Sequence, residues 1–294
     1  MPMQNLAEAQ HVSQSGGLRQ LLEGASVEVT TGNTKQFSDL QEFFPRGSDV
    51  HVAYLPTDHY LQTVEAAAQL RKLSYVPIPH VAARALESEA ALDDFLARAA
   101  GEAGVTKTLI IAGDLPRPRG PFAASLDLMK TGLLQKRGIR TIAVAGHPEG
   151  HPVMAADEMD RALAAKVAFA PENGLDLSVI TQFCFDAAPI VGYVERLRSA
   201  GVDVPVRVGV AGPAGMMTLI KFGMRCGVGN SLRTLRSKGD MLGRLATDAR
   251  PDEILKDVAD ARDREEITGI AGVHFYVFGG LRKTGQWLRD ALAD

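Results

Sequence analysis

The chain has 294 residues, of which 46% are hydrophobic and 23% are charged, the proportions of an ordinary globular protein. Its 32 basic and 35 acidic residues leave a formal net charge of −3, which argues against a dedicated nucleic-acid binder because such proteins carry a basic excess. No apolar run approaches the roughly 18 residues that span a bilayer. The polar N-terminus lacks the order of a secretory signal, and two cysteines cannot build a disulfide framework, so a cytoplasmic location is expected.

Short apolar runs rich in β-branched residues recur along the chain and predict eight strands. They are Ser26–Thr30, Val50–Tyr54, Tyr75–Ile78, Thr108–Ala112, Thr141–Ala145, Ser178–Thr181, Val206–Val210 and Val273–Val277. Successive runs begin about 35 residues apart, which is the size of one strand–helix unit. Runs that are apolar on both faces suit a parallel sheet covered by helices.

Helical periodicity fills the intervals between these runs. One helix is predicted after Asp58 and another after Ser88, where Leu92 and Phe95 fall at helical spacing. Gly104 stands where the second of these helices would end, because glycine readily adopts the left-handed conformation that closes a helix. The long interval between the seventh and eighth runs has room for further helices near 214–226, 231–246 and 251–265.

Eight such units predict an α/β fold, a (β/α)8 (TIM) barrel with extra helices between strands 7 and 8, which needs about 250 residues. A doubly wound sheet divided over two domains is the alternative. It is disfavoured because no linker divides the chain and no G-x-G-x-x-G follows the first run. The sequence therefore predicts an N-terminal tail with a short helix over 1–24 and a single catalytic barrel over 25–294.

Barrel enzymes place their chemistry at the C-terminal ends of the strands. Glu28 lies between two valines within the first run, which predicts a carboxyl group that is buried or at the barrel mouth. Burial raises the pKa of a carboxyl group and makes it a useful proton donor near neutral pH. The structural alternative is a carboxylate that pairs with a nearby lysine or arginine.

Further polar residues follow the fourth and fifth runs. Asp114 could bond a substrate through both carboxylate oxygens, or it could cap a turn. His147 and His151 invite a metal site, but Pro148 and Pro152 disfavour a helix around them. Because the ligand spacing of a helical zinc site does not apply there, the sequence predicts no metal and favours a ligand-contacting loop or a rigid turn.

A basic cluster lies between the last two runs and consists of Arg225, Arg233, Arg236 and Lys238. A cluster of this kind is typical of a solvated helix face. It could also dock phosphates or a polyglutamyl tail, and the sequence leaves both interpretations open.

Short phrases at the ends of the predicted strands occur in an order that resembles the methylenetetrahydrofolate reductase family. They are S-V-E-V at 26–29, P-H at 79–80, G-D-L-P at 113–116, H-P-E-G-H-P at 147–152, I-T-Q-F-C-F-D at 180–186 and H-F-Y at 274–276. The resemblance implies a (β/α)8 barrel that binds FAD. It also implies an oxidoreductase of one-carbon folate metabolism and methionine biosynthesis, which uses NADH or NADPH to reduce 5,10-methylenetetrahydrofolate to 5-methyltetrahydrofolate, or catalyses the reverse.

The resemblance also implies roles for individual residues. Glu28 falls on the family's catalytic glutamate, a general acid that helps to open the methylene bridge to a reactive iminium. Asp114 falls on an aspartate between the flavin and the pterin ring, and Gln182 on a glutamine that hydrogen-bonds the folate. Flavin-contacting positions fall on or near His80, Gly113, Asp114, His147, His151, Asp160 and Lys166.

Several departures from the family pattern fall on the flavin side. An arginine that precedes the G-D pair is Ala112 here, a threonine of the second strand is Ala53, and a tyrosine near the fourth helix is Ala124. Loss of a charge-assisted bond and two other polar contacts would weaken FAD binding about a thousandfold or more. The sequence therefore predicts a divergent member that binds FAD weakly or works without it, with NAD(P)H as the hydride donor.

Two other functions remain open. One is a folate-dependent methyl or one-carbon transferase on the same barrel, which would need no nicotinamide. The other is a non-catalytic folate or flavin binder, against which the intact acid Glu28 argues. The expected partner is a small folate molecule, with neither nucleic acid nor a membrane, and a homo-oligomer is compatible with the sequence.

Overall fold

The computed structural model describes residues 17–228, 231 and 248–293. Eight parallel strands form a closed barrel, in the order β1-β10-β7-β6-β5-β4-β3-β2, and so the predicted (β/α)8 fold is confirmed. In chain order these strands are β1 (Ser26–Thr30), β2 (Asp49–Ala53), β3 (Val76–Ala82), β4 (Lys107–Ile111), β5 (Thr141–Gly146), β6 (Asp176–Thr181), β7 (Val206–Ala211) and β10 (Ile270–Tyr276).

Helices occupy the intervals between the strands, as a strand–helix repeat requires. They are α1 (17–22), α2 (Phe37–Phe43), α3 (Tyr60–Lys72), α4 (Glu89–Ala103), α5 (Ser125–Lys130), α6 (Leu133–Lys136), α7 (Ala156–Glu172), α8 (Ala187–Ser199), α9 (Met216–Cys226), α10 (Asp252–Asp263) and α11 (Leu281–Ala293). Among the described residues, no helix is both long and apolar enough to cross a membrane.

Both ends of α4 lie where the sequence predicts them. The Ser88 hydroxyl accepts a hydrogen bond from the Ala91 N–H at 3.1 Å and caps the helix. Gly104 ends the helix with a φ of 60°, a left-handed conformation that glycine adopts without steric cost. Leu92 and Phe95 are buried on the inner side of the helix, as their spacing predicts.

The helix predicted after Asp58 begins two residues later, at Tyr60. His59 caps it, because its Nδ1 accepts a hydrogen bond from the Leu61 N–H at 3.3 Å. The Asp58 carboxylate instead accepts from the Leu55 N–H at 3.1 Å, so it closes the preceding turn. An aspartate just before a helix suits either role, and the local sequence does not separate them.

The third strand extends four residues beyond its predicted end at Ile78. Two prolines that lack an N–H group interrupt the sequence pattern there. The strand continues because its second half pairs with β4, with His80 opposite Leu109 and Ala82 opposite Ile111. His80 therefore lies within a strand and not after one.

The interval between β7 and β10 contains α9 and α10, which correspond to the helices predicted near 214–226 and 251–265. The helix predicted over 231–246 lies outside the described residues, apart from Ser231. A small antiparallel ribbon of β8 (Ala214–Gly215) and β9 (Asp248–Ala249) was not predicted. Strands of two residues are too short to show any periodic pattern.

The described residues fall into two compact units. The first unit comprises 26–146 and 154–180, and the second unit comprises the described residues of 1–25, 147–153 and 181–294. Residues 17–22 are helical. The domain boundaries at 24 and 25 stay a prediction.

Candidate functional site

In the first unit, three titratable side chains lie on the same face of neighbouring strands. Side chains alternate along a strand, and the register pairs Glu28 of β1 with His51 of β2. His80 of β3 lies two residues beyond Ile78, the partner of His51, so it shares that face. Val27, next to Glu28, is fully buried on the opposite face. In a closed barrel the face shared by the three polar residues is the inner one.

The side chains of Glu28 and the two histidines lie close together. Oε2 of Glu28 is 3.7 Å from Nε2 of His80, and the glutamate side chain retains 19% exposure. The same His80 nitrogen is 3.4 Å from Nδ1 of His51. The two histidines retain only 5% and 2% exposure. A pair of buried imidazole rings therefore stands beside the predicted general acid, and sequence reasoning did not single out His51.

Asp114 follows β4 on an exposed turn. Gly113 before it has a φ of 90°, a conformation that favours glycine. A Cβ atom there would also lie 3.1 Å from the Cβ of Ala82, which is a tight contact. Asp114 and Gly113 line a cavity of about 40 Å³ together with Tyr54. Within the part of the chain that the structure describes, the Asp114 carboxylate accepts no hydrogen bond, and so the alternative of a turn cap is not observed.

The predicted flavin-contacting residue Lys166 lies on α7. Its ammonium is 3.4 Å from the hydroxyl of Ser125 at the start of α5, and burial lowers the pKa of Lys166. The Asp127 carboxylate accepts hydrogen bonds from the N–H groups of Ala123 and Ala124, each at 2.9 Å. Asp127 therefore caps its own helix from within the first turn, by binding the N–H groups of the two residues that precede α5.

The resemblance implies an arginine before the G-D pair, where this chain has Ala112. Arg84 does not take the place of that arginine. The Arg84 side chain donates to the carbonyl oxygens of Ala123 at 2.9 Å and Leu115 at 3.2 Å, so it braces the loop after β4. The Ala112 carbonyl accepts from the Arg84 N–H at 2.9 Å. Asp160, another predicted flavin contact, is exposed on α7.

In the second unit, the loop 147–153 forms a tight turn. The Gly150 N–H donates to the His147 carbonyl at 3.1 Å, and Gly150 has a φ of 90°. The ring centroids of His147 and His151 lie 5.1 Å apart, edge to face. His151 Nδ1 accepts from the Val153 N–H at 3.3 Å. No group of three metal-ligating side chains is found among the described residues.

Glu149 in the same loop is a residue whose role sequence reasoning missed. Its carboxylate accepts from the N–H of Ser231 at 2.9 Å and from the Ser231 hydroxyl. That hydroxyl accepts in turn from the Phe185 N–H at 3.0 Å. Glu149 and Ser231 are 82 residues apart in the sequence. A local sequence pattern therefore cannot predict their hydrogen bond. Burial and the Glu149 carboxylate raise the pKa of Cys184.

Gln182 follows β6 and is half-buried. Its side-chain oxygen accepts from the Phe183 N–H at 3.1 Å, which orients the amide nitrogen as a donor. The Tyr276 hydroxyl donates to the Thr181 carbonyl at 3.1 Å. A Cβ at Gly209 would overlap that carbonyl, so glycine is required there. The aromatic rings that pack around this point belong to Phe183, Phe185, Phe222, Tyr276 and Phe278.

A cavity of about 300 Å³ lies in the second unit and is bordered by Phe185 of this aromatic cluster. Its lining includes Ala211, Met216, Leu219 and Ile254, with Asp186, Asp248, Arg250 and Asp252. It contains none of the predicted site residues. Of the predicted basic cluster, Arg225 is exposed at the end of α9, and Arg233, Arg236 and Lys238 lie outside the described residues.

Comparison with known proteins now identifies the class. The family model described as methylenetetrahydrofolate reductase matches residues 36–229. The chain belongs to the methylenetetrahydrofolate reductase family. The matched range includes Asp114 and Gln182, whereas Glu28 lies before it.

Two curated relatives are named 5,10-methylenetetrahydrofolate reductase. The protein of Pectobacterium carotovorum subsp. carotovorum is 30% identical over 122 residues, which are 41% of this chain and 39% of that protein. The protein of Salmonella typhimurium strain LT2 is 32% identical over 108 residues, or 36% of this chain and 34% of that protein. Less than half of each relative is therefore matched.

The solved structures add a weaker similarity. The crystal structure of 3-dehydroquinate dehydratase from Geobacillus kaustophilus HTA426 aligns with a TM-score of 0.45 and 11% sequence identity. The alignment covers 92% of this chain and 89% of that one. At this level of similarity we draw nothing from it about function.

Proposed function

We propose that the protein reduces 5,10-methylenetetrahydrofolate to 5-methyltetrahydrofolate, with a reduced nicotinamide dinucleotide as the hydride donor. Family membership and the names of the two curated relatives support this activity. The observation that carries the proposal is the Glu28 carboxyl group, which lies on the inner face of the barrel, 3.7 Å from His80. A carboxyl group in such a place suits proton donation to a bound substrate.

Glu28 is the general acid of the proposed reaction. Its proton passes to one nitrogen of the methylene bridge, the bond from that nitrogen to the bridging carbon breaks, and the carbon becomes part of an iminium. Hydride from the nicotinamide then adds to that carbon and forms the methyl group. One proton and one hydride are consumed for each product, and the oxidised dinucleotide leaves.

Asp114 and Gln182 are the proposed folate-binding residues. A pterin ring presents both donors and acceptors, so a carboxylate and an amide are each suited to hydrogen-bond it. Asp114 offers an exposed carboxylate on a turn fixed by Gly113. Gln182 offers amide N–H groups, because its oxygen already accepts from the Phe183 N–H.

We infer that FAD is not tightly held. The residues on the flavin side do not fit it: Ala53, Ala112 and Ala124 offer no polar side chain, and the Arg84 side chain donates to carbonyl oxygens of the loop. We therefore route the hydride from the nicotinamide directly to the substrate.

The test is oxidation of NADH or NADPH by the purified protein in the presence of 5,10-methylenetetrahydrofolate, with the methylated product identified by chromatography. We expect turnover without added FAD and a colourless preparation. A yellow protein with one flavin per chain would overturn the inference about FAD. Methyl transfer without nicotinamide oxidation would support a transferase, and folate binding without turnover would support a binder. Either outcome would contradict the proposed activity.

A further inference from the structure

One nitrogen atom in the first unit faces two titratable partners. Nε2 of His80 lies 3.7 Å from Oε2 of Glu28 and 3.4 Å from Nδ1 of His51. The proposed reaction needs Glu28 to lose a proton in each turnover and to regain one. The reaction as described uses neither histidine, although both are buried and lie beside the acid.

The other charged groups on this inner face are accounted for. Asp49 of β2 and Lys107 of β4 form an ion pair with a nitrogen-to-oxygen distance of 3.0 Å, at the N-terminal ends of their strands. Asp114 lies beyond the C-terminal end of β4. In the second unit, the buried titratable residue of β10 is His274. The histidine pair is thus a titratable neighbour of Glu28 within its own unit.

We propose that His80 returns a proton to Glu28 after each turnover, and that His51 is a positioning residue that holds the His80 ring for this transfer. This inference rests on the proposed function. In the transfer, the N–H bond at Nε2 of protonated His80 breaks and an O–H bond forms at Oε2 of Glu28. His80 becomes neutral and takes its next proton from water.

His51 acts in this scheme as a hydrogen-bond acceptor. Before the transfer, its Nδ1 accepts from the single N–H at Nε2 of protonated His80 and holds that nitrogen 3.7 Å from Oε2 of Glu28. In the transfer this N–H turns from Nδ1 of His51 to Oε2 of Glu28. A hydrogen bond to the charged form of a group favours that form, so His51 also stabilises the protonated ring. The Oδ1 of asparagine can occupy nearly the same place as Nδ1 of histidine, whereas a phenylalanine ring fills the space without an acceptor.

The kinetic test compares His51→Asn with His51→Phe. We expect His51→Phe to lower kcat about tenfold, a part of what general acid–base catalysis contributes, with KM little changed. The fall in kcat at high pH should move to lower pH by about one unit, because the protonated pair loses a stabilising bond. His51→Asn should keep both the rate and the pH profile close to those of the unsubstituted protein.

A matched control separates this effect from a loss of packing. Val52→Ala removes a fully buried side chain from the opposite face of the same strand. It should lower thermal stability and leave the pH profile unchanged. If His51→Phe gives the same pH profile as Val52→Ala, or if His51→Asn loses as much activity as His51→Phe, the positioning role is wrong.

The second test needs no turnover. Nitrogen-15 NMR of the histidine rings follows the protonation of His80 in the unsubstituted protein and in Glu28→Gln. Because a nearby carboxylate favours the protonated imidazole, Glu28→Gln should lower the His80 titration midpoint by about one unit, whereas the exposed Glu102→Gln should not. An unchanged midpoint would overturn the relay. Absence of nicotinamide oxidation by the unsubstituted protein would instead overturn the proposed function. The NMR titration would still decide whether protonation of His80 depends on the Glu28 carboxylate.

Discussion

The two compact units hold different kinds of chemistry. In the first unit, Glu28, His51 and His80 lie on one face of three strands that are neighbours in both sequence and sheet. In the second unit, the predicted folate contact Gln182 accepts a hydrogen bond from the Phe183 N–H, and the loop 147–153 is hydrogen-bonded to the distant Ser231. In the proposed function, proton transfer depends on strand register in the first unit, whereas ligand contact depends on loops. We therefore expect substitutions of the strand residue Glu28 to change kcat, and substitutions in the loops, at Asp114 of the first unit or Gln182 and Ser231 of the second, to change KM or stability.

The largest expected effect is that of Glu28→Gln. The amide cannot donate the proton that opens the methylene bridge, so kcat should fall at least about a hundredfold. The melting temperature should stay near that of the unsubstituted protein, since the side chain keeps its size. A steady-state assay of nicotinamide oxidation measures the change, with Glu102→Gln on the exposed side of α4 as the control. An unchanged rate would remove Glu28 from the mechanism.

Asp114→Asn should lower kcat/KM about ten- to a hundredfold, because a charge-assisted hydrogen bond contributes about 1.5–3 kcal/mol. The same assay at varied folate concentration measures it. Asp176→Asn, an exposed aspartate at the start of β6, serves as the control and should change nothing. An equal loss in the two variants would show that Asp114 has no particular role.

Ser231→Ala tests the hydrogen bonds that join Ser231 to Glu149 and Phe185 in the second unit. It leaves the Phe185 N–H without its acceptor and removes one donor from Glu149, so the free energy of unfolding should fall by about 1–3 kcal/mol. Urea denaturation measures it. Ser48→Ala removes an exposed hydroxyl that donates to a carbonyl and should cost much less. Equal losses of unfolding free energy in Ser231→Ala and Ser48→Ala would mean that the hydrogen bonds of Ser231 add no particular stability.

Gln182→Ala should raise the KM for the folate about tenfold, as expected for the loss of about one or two hydrogen bonds, with kcat nearly constant. This outcome would sharpen the contrast with Glu28→Gln, which lowers kcat. A fall in kcat without a change in KM would contradict the assignment of Gln182 to binding.

The smallest expected effect concerns Cys184, whose pKa is raised by burial and by the Glu149 carboxylate. Iodoacetamide should label this thiol slowly near pH 8 in the folded protein, because the thiolate is the reactive form. Mass spectrometry measures the labelling, and Cys184→Ala shows how much of it occurs at Cys226. The raised pKa also affects stability: in the unfolded chain the thiol ionises above about pH 8.5, so raising the pH through that value should favour unfolding. Rapid labelling of Cys184 would contradict the raised pKa.

The sequence was most informative where structure is local. Buried parallel strands need continuous β-branched runs, so all eight barrel strands could be predicted, as could the cap at Ser88 and the stop at Gly104. Glu28 was conspicuous because a carboxylate between two valines in a strand is unusual.

The rest depends on contacts between residues far apart in the chain. His51 is one histidine in an ordinary strand, and its role becomes visible only when the register sets it beside His80. The tie between Glu149 and Ser231 spans 82 residues. The extension of β3 past its prolines depends on pairing with β4, which no local pattern reveals.

The most direct test of the account is the fate of the transferred hydrogen. A nicotinamide dinucleotide that carries deuterium at the reactive C4 position is oxidised in ordinary water with 5,10-methylenetetrahydrofolate, and the methyl group of the product is examined by mass spectrometry. Direct hydride transfer predicts that the label is retained in that methyl group. Passage through the exchangeable N–H of a reduced flavin would lose the label to water, and an unlabelled methyl group would contradict the account.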